Sequence, residues 1–321
     1  MGRARPASIS PVIFNVYKPK GLTSADVVFQ FKKHLPNGFG KIGHLGTLDP
    51  FAEGVLFIAL AGASRLSDLV HEALPKRYEA VGIFGVKTAS GDMTNDPINH
   101  ASDSEIKEIE GFSTLELEKV AKNMEGDYMQ VPPCFSASKF EGRPLYKWAR
   151  EGTFIKKEAK KRMIYEFNII NWNPPEIRFE VLVSSGTYIR TLFEDFAAKL
   201  YQIGALKTLI RTSIGPHSSK TSIQKSFWPK NKECYDYSIG IRPDDLLKYD
   251  KLTLDPGESL KYYNGQKLKL EGLVKDFPGG STKNKYYWVY DESLLLLGLG
   301  KEQQNELAPY ITFPKRFTMT T

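Results

Sequence analysis

In "SADVVFQFKKHL", Val27, Val28, Phe31 and Leu35 recur at helical spacing, and Ser24 stands where an N-cap would. "STLELEKVAKNM" carries Leu117, Val120, Ala121 and Met124 on one face, behind a Ser113 to Glu116 capping-box pattern. The clearest amphipathic helix is "IRTLFEDFAAKL", whose stripe is Ile189, Leu192, Phe193, Phe196, Ala197 and Leu200. Just upstream, Phe179, Val181 and Val183 alternate in "RFEVLV", as one face of a half-buried strand does. The strand, the Ser-Ser-Gly-Thr loop at 184–187 and the helix together predict a turn able to present chemistry.

Helical and strand patterns are interspersed along the chain, and no internal repeat is present. Between about 213 and 250 the periodicity fades into a polar stretch with Pro216, Pro229 and Pro243, read as a long connection with some helix. Beyond it "QKLKL", "KYYWVYD" and "LLLLGLG", punctuated by glycines, predict short strands and turns. With 321 residues available, two units are expected: residues 1–249 and a small β-rich domain at 250–321.

Composition adds a partner class. Hydrophobic residues at 41% and charged residues at 25% are ordinary for a globular protein. Lys and Arg number 44 against 37 Asp and Glu, for a net charge of +7 and an isoelectric point near 9.1, which favours a polyanionic partner. Cys134 and Cys234 lack both metal-ligand spacing and a disulfide framework, which fits a reducing cytoplasm. The apolar run "GVLFIALAGA" is about half the length of a bilayer span, and "MGRARPASISPVIF" lacks a secretory core and reads as a basic arm.

Candidate chemistry centres on "KIGHLGTLDPFAEG". It sets Asp49 between Thr47 and Pro50, among Gly43, Gly46 and Gly54, with His44 five residues upstream. The phosphate-cradling patterns GxxxxGK[ST] and GxGxxG are absent, and alone the Asp-Pro pair reads as the start of a turn. "QVPPCFSASKFEGRPLYKWAREG" interleaves Lys139, Arg143, Lys147 and Arg150 with Phe135, Phe140, Tyr146 and Trp148, a mixture suited to RNA backbone and bases or to a helical core. The run "KKEAKKR" at 156–162 suits phosphate contact or a solvated face equally. Tyr78 opens a strand in "KRYEAVGIFG", "TASGDMTND" holds a Gly-Asp turn at 91–92, and "SSGTYIRTL" supplies Tyr188 and Arg190. A cation at a helix start opposes the helix dipole, so Arg190 calls for a specific anionic partner.

Taken in order, "YKPKGLTS", "GHLGTLDPFAEGVL", "KRYEA", "SGD", "QVPPCFSASKFEGRPLYKWAREG", "SGTYIRTL" and "LIRTSIG" resemble the motifs of the TruB family of tRNA pseudouridine-55 synthases. That resemblance implies an α+β pseudouridine synthase fold: a mixed, largely antiparallel sheet flanked by helices, with a small β-rich PUA-like C-terminal domain. It implies isomerisation of uridine 55 in the T-arm loop of tRNA, by a monomer needing no obligatory protein partner, metal or organic cofactor. On the same ground Asp49 is the catalytic residue and Arg190 pairs with it. Tyr78 would stack on the target base, Tyr188 would touch base or carboxylate, and His44 would steady the everted nucleotide. Asp92 would lie near the RNA loop, Lys18 would brace the site or reach a phosphate, and Ile210 would lie under the base. Tyr17 and Glu53 depart from the usual family residues. Three other readings stay open: an RNA folding factor, a member of the guide-RNA particle group, and a glycosidic hydrolase, which would want a second acid.

Overall fold

The computed structural model describes residues 10–35, 40–231, 236–276 and 286–313; Cys234 and the basic arm before residue 10 lie outside them. The alternation near residue 180 becomes the strand Glu176–Val183, with Phe179, Val181 and Val183 fully buried on one face. Its sheet runs, edge to edge, Val12–Lys18, Glu53–Leu60, Gly204–Ile214, Lys76–Phe84, Glu176–Val183, Lys160–Asn173 and Gly126–Gln130. Along this path the pairings are antiparallel except that of Glu53–Leu60 with Gly204–Ile214, where Ile210 lies beside Glu53 and Arg211 beside Gly54. The sheet is therefore mixed and largely antiparallel, as the resemblance implies.

Helix Ile189–Lys199 presses its predicted stripe onto this sheet. Phe193 stacks on Phe179 with centroids 5.6 Å apart, and Phe196 packs 5.2 Å from Phe167. Gly82 on the strand Lys76–Phe84 makes the fit possible, because a Cβ there would stand 2.2 Å from Phe193 Cζ. This close approach fixes the height of the helix, and with it the position of Arg190 at the helix's N-terminal end.

The first helix, Ser24–His34, corrects one expectation. Its N-cap is Thr23, which forms a capping box with Asp26, and not Ser24. Ser24 is otherwise engaged: its hydroxyl donates to the Leu48 carbonyl at 3.1 Å and accepts from the Leu48 amide at 2.9 Å. The helix start is thus stitched to the loop carrying Asp49. The capping box of helix Thr114–Asn123 is present at Ser113 and Glu116, as the pattern predicts.

The polar connection after residue 214 is long but not loose. Its backbone runs along the edge strand Val12–Lys18, where Tyr17 N donates to Ile223 O at 3.0 Å and Ile13 N to Ile241 O at 2.9 Å. An otherwise open sheet edge is covered. From Asp250 onward the described residues build a second, six-stranded sheet around Tyr286–Asp291 and Leu296–Gln303. Trp288, Tyr290 and Leu299 of that sheet share one apolar cluster with Ile13, Leu45, Val55, Phe57 and Leu66. No helix among the described residues is long and apolar enough to cross a membrane.

Gly82→Ala is expected to displace the Phe193 ring and to cost about 1–3 kcal/mol by overpacking. A thermal unfolding midpoint equal to that of the parent protein would contradict the close packing of helix on sheet.

Candidate active site

Three buried cations shape the loop at 41–54. The Lys18 side chain, fully buried, donates to the carbonyls of Ala52 at 2.6 Å, Leu22 at 2.7 Å and Pro19 at 3.1 Å. Burial pushes its ammonium down to about 8, against the opposing pull of Asp49. Lys18 therefore braces the main chain after Asp49 and is sealed away from any phosphate. Arg211, also fully buried, donates through Nε to Val55 O at 2.7 Å, through Nη2 to Gly46 O at 3.2 Å and through Nη1 to Thr47 O at 3.3 Å. Main-chain carbonyls in this loop thus have ionised donors, the stronger kind of hydrogen bond.

The third cation is Arg190. Its Nε lies 2.9 Å from Asp49 Oδ2, its Nη2 donates to Phe135 O at 2.9 Å, and its Nη1 donates to Ser90 O at 2.5 Å. Asp92 Oδ2 stands 3.7 Å from Nη1, so one guanidinium serves two carboxylates. The two acids differ in access. The Asp49 side chain is 32% exposed while that of Asp92 is 6% exposed. Asp92 also accepts from the Thr94 amide at 3.0 Å and from the Thr94 hydroxyl, which makes it a support for Arg190 buried behind the loop. The anionic partner that the helix dipole demanded of Arg190 is present at the helix's first turn.

Asp49 opens into a cleft of about 300 Å³ lined also by Leu48, Tyr78, Tyr188, Ile189 and Leu209. Tyr78 comes from the strand Lys76–Phe84, and its hydroxyl lies 3.5 Å from Arg211 Nη1. Tyr188 is the N-cap residue of helix Ile189–Lys199, and the buried Gln130 clamps its backbone, accepting from its N–H at 2.8 Å and donating to its carbonyl at 2.9 Å. The apolar lining on strand Gly204–Ile214 comes from Leu209, not Ile210. Because successive strand residues face opposite sides, Ile210 projects from the other face of the sheet. His44 is likewise outside the lining. It lies in a two-residue strand paired with Ile58, and its buried Nδ1 has no hydrogen-bond partner among the described residues. Burial and then Arg211 lower its pKa, favouring neutral imidazole.

Sequence reasoning passed over Arg211, Gln130, Leu209 and the cleft residues His71 and Lys76. Arg211 and Lys76 sit inside the motifs "LIRTSIG" and "KRYEA", but a motif does not reveal which of its cations turn inward. Glu194, one helical turn beyond Arg190, is pushed up to about 7 by burial, against the attraction of Arg190. Among the described residues no group of three or more His, Cys, Asp or Glu side chains is arranged to hold a metal ion. What the cleft offers chemically is one accessible carboxylate on a buried guanidinium, between two aromatic side chains and an apolar patch.

The fold resembles that of a chain from the crystal structure of a Cbf5-Nop10-Gar1 complex. It aligns with a TM-score of 0.64 at 23% identity, covering 96% of this chain and 85% of that one. The fold is that of the pseudouridine synthases, a class of isomerases. Residues 32–189 match the model of the TruB family pseudouridylate synthase N-terminal domain. A tRNA pseudouridine synthase B of Hydrogenovibrio crunogenus is 35% identical over 291 residues, covering 90% of this chain and 88% of its own length. Its counterpart in Thermotoga maritima is 33% identical over 294 residues, covering 91% and 90%. The chain belongs to the TruB family.

Two expectations follow from the electrostatics. Arg190→Met leaves Asp49 and the buried Asp92 without the cation between them, and about 3–5 kcal/mol of folding stability should be lost in denaturant titration. The Glu194 carboxyl titrates near 7 when folded and near 4.5 when unfolded, so between these values the folded state holds the extra proton. Stability contributed by this group is present below about 4.5 and lost as pH rises through about 7. Glu194→Gln should therefore gain on the parent by about 1–3 kcal/mol between pH 5 and 8; parallel stability profiles for the two proteins would contradict the assignment.

Proposed function

We propose that this protein isomerises uridine 55 in the T-arm loop of tRNA to pseudouridine, with Asp49 as the catalytic residue. The observation that carries the reading is the Asp49 to Arg190 pair at 2.9 Å, buried on the arginine side and open to the cleft on the carboxylate side. The family names of the relatives point to tRNA as substrate.

A uridine inside a folded stem-loop cannot present its glycosidic bond, so the nucleotide is everted into the cleft. Tyr78 and Tyr188 then flank the base and Leu209 gives it an apolar floor. The bond from uracil N1 to ribose C1′ breaks, the base turns in place, and C5 joins C1′. The proton on C5 is finally lost and N1 gains one, so no atom or electron is added overall. Asp49 serves this sequence as an anion, whether it adds to the nucleoside or removes the C2′ proton. Arg190 holds it aimed, and Tyr78 lies where the C5 proton departs.

Unstacking costs a few kcal/mol, supplied by contacts between Lys and Arg side chains and phosphates. Residues 1–249 supply catalysis in this reading, and 250–321 supply further RNA contact. The protein acts as a cytoplasmic monomer.

Asp49→Asn keeps shape and hydrogen bonding while removing the charge. With an unmodified tRNA transcript it should form no pseudouridine detectable by chemical labelling, while its affinity for the transcript stays within about threefold of the parent's. Pseudouridine made by the variant would overturn the role of Asp49. Free uracil released by the parent would overturn isomerisation in favour of hydrolysis, and a modified position other than 55 would overturn the site assignment.

A further inference from the structure

The cleft contains a second built feature that the isomerisation does not use. Lys76 stands two residues before Tyr78 on the strand Lys76–Phe84, so the two side chains leave the same face of the sheet and line the same cleft. Lys76 Nζ donates to Ser185 Oγ at 2.6 Å and lies 3.2 Å from His71 Nδ1. Ser185 Oγ is itself 2.5 Å from His71 Nδ1. With a hydroxyl and an ammonium both directed at it, Nδ1 is the unprotonated nitrogen of a neutral ring. Burial, then Lys76, push His71 down to about 4, in keeping with that state.

Among the described residues no carboxylate is hydrogen-bonded to Lys76 or ion-paired with it, and the Asp68 carboxylate acts on His71 only after burial, Lys76 and Arg211. Of the other buried cations of the site, Arg190 pairs with Asp49 and Asp92, while Lys18 and Arg211 end on main-chain carbonyls. Lys76 is 4% exposed and ends on one hydroxyl and one imidazole. Burial lowers its pKa most, and the charged neighbours that lower it further are Arg211 and then Arg162, both cations. Arg162 reaches the rim of the same cleft, with Nη2 3.0 Å from where a Gly186 Cβ would stand and Nη1 donating to Ser185 O at 3.4 Å. Gly46, three residues before Asp49, closes the other side. A Cβ there would lie 3.1 Å from Lys76 Nζ. A cation buried without a counter-charge is costly, and a cleft that keeps one at its wall is built for an anion arriving with the ligand.

We propose that Lys76, positioned by Ser185 and His71 and assisted by Arg162 at the rim, is a phosphodiester-binding subsite that seats the backbone phosphate adjoining the everted uridine. This rests on the proposed RNA-modifying function. The ammonium supplies donors to the phosphate oxygens while the Ser185 proton stays donated to His71, and the phosphate in turn neutralises the group of cations. The sugar is thereby fixed relative to Asp49, which converts backbone binding into orientation of C1′ and C2′.

The test uses the full-length protein and T-arm stem-loops carrying a neutral methylphosphonate at either the 5′ or the 3′ phosphate of the target uridine. For the parent protein one of the two substitutions should lower kcat/KM about 10-fold or more, the scale of a hydrogen bond to a charged group. Lys76→Met should suffer a similar loss on unmodified RNA, and the sensitive methylphosphonate should then cost it less than about twofold. Ser185→Ala, which retains the ammonium and removes its anchor, should show an intermediate loss with reduced sensitivity to the same phosphate. A parent protein indifferent to both methylphosphonates would overturn the subsite. So would losses from Lys76→Met and methylphosphonate that simply multiply, since Lys76 would then act on some other group. Absence of pseudouridine from unmodified RNA treated with the parent protein would instead overturn the function on which the subsite rests, before any phosphate is altered.

Discussion

The guanidinium of Arg190 is the point from which the rest of the site is set out. It is buried, stands at the first turn of a helix where the dipole disfavours it, and touches Asp49, Asp92 and two carbonyls. These four contacts fix three segments: the loop at 41–54, the Gly-Asp turn with Ser90, and the chain at Phe135. None of these segments has a regular element of its own at the contact. The arginine replaces secondary structure as the organiser of three irregular stretches, and the phenylalanine-filled interface beneath its helix holds it at the height where it can do so.

A similar economy governs the loop at 41–54. Loops usually expose their carbonyls to water, but here those of Gly46, Thr47, Ala52 and Val55 accept from Lys18 or Arg211. The loop is polar in its interior and still held on several sides. Ser24 contributes the remaining tie through the Leu48 backbone, which is why it is unavailable as a helix cap. Asp49 thus gains a rigid mount although five of the fourteen residues in its segment are glycine, proline or threonine, types that usually mark turns.

Patterns with a short period were legible in the sequence. The helix at 189–199, the strand at 176–183 and the capping box at Ser113 all follow from spacing alone, because each is decided by residues within one or two turns. The pairing of Asp49 with Arg190 was reached through motif resemblance, as no local rule joins positions 141 residues apart. What escaped notice was direction. Ile210 and Leu209 are equally apolar, and only the strand's register decides which of them faces the cleft. Lys18 could be read as a brace or as a phosphate contact until its surroundings showed four backbone oxygens within 3.5 Å. The two positions that depart from the family pattern also meet: Tyr17 bonds Glu53, and burial followed by that carboxylate pushes the phenol up to about 12. Linear order hides such partnerships, since they form across neighbouring strands.

Leu45 belongs to the apolar cluster that also contains Trp288 and Leu299, and it lies four residues before Asp49. The rear support of the loop at 41–54 is therefore borrowed from the other end of the polypeptide. A lesion that loosens the tryptophan's seat would slacken the mounting of the acid while leaving every group in the cleft chemically intact. Such a protein would keep every side chain of the cleft and lose their alignment, a defect mechanical in origin and remote from the cleft itself.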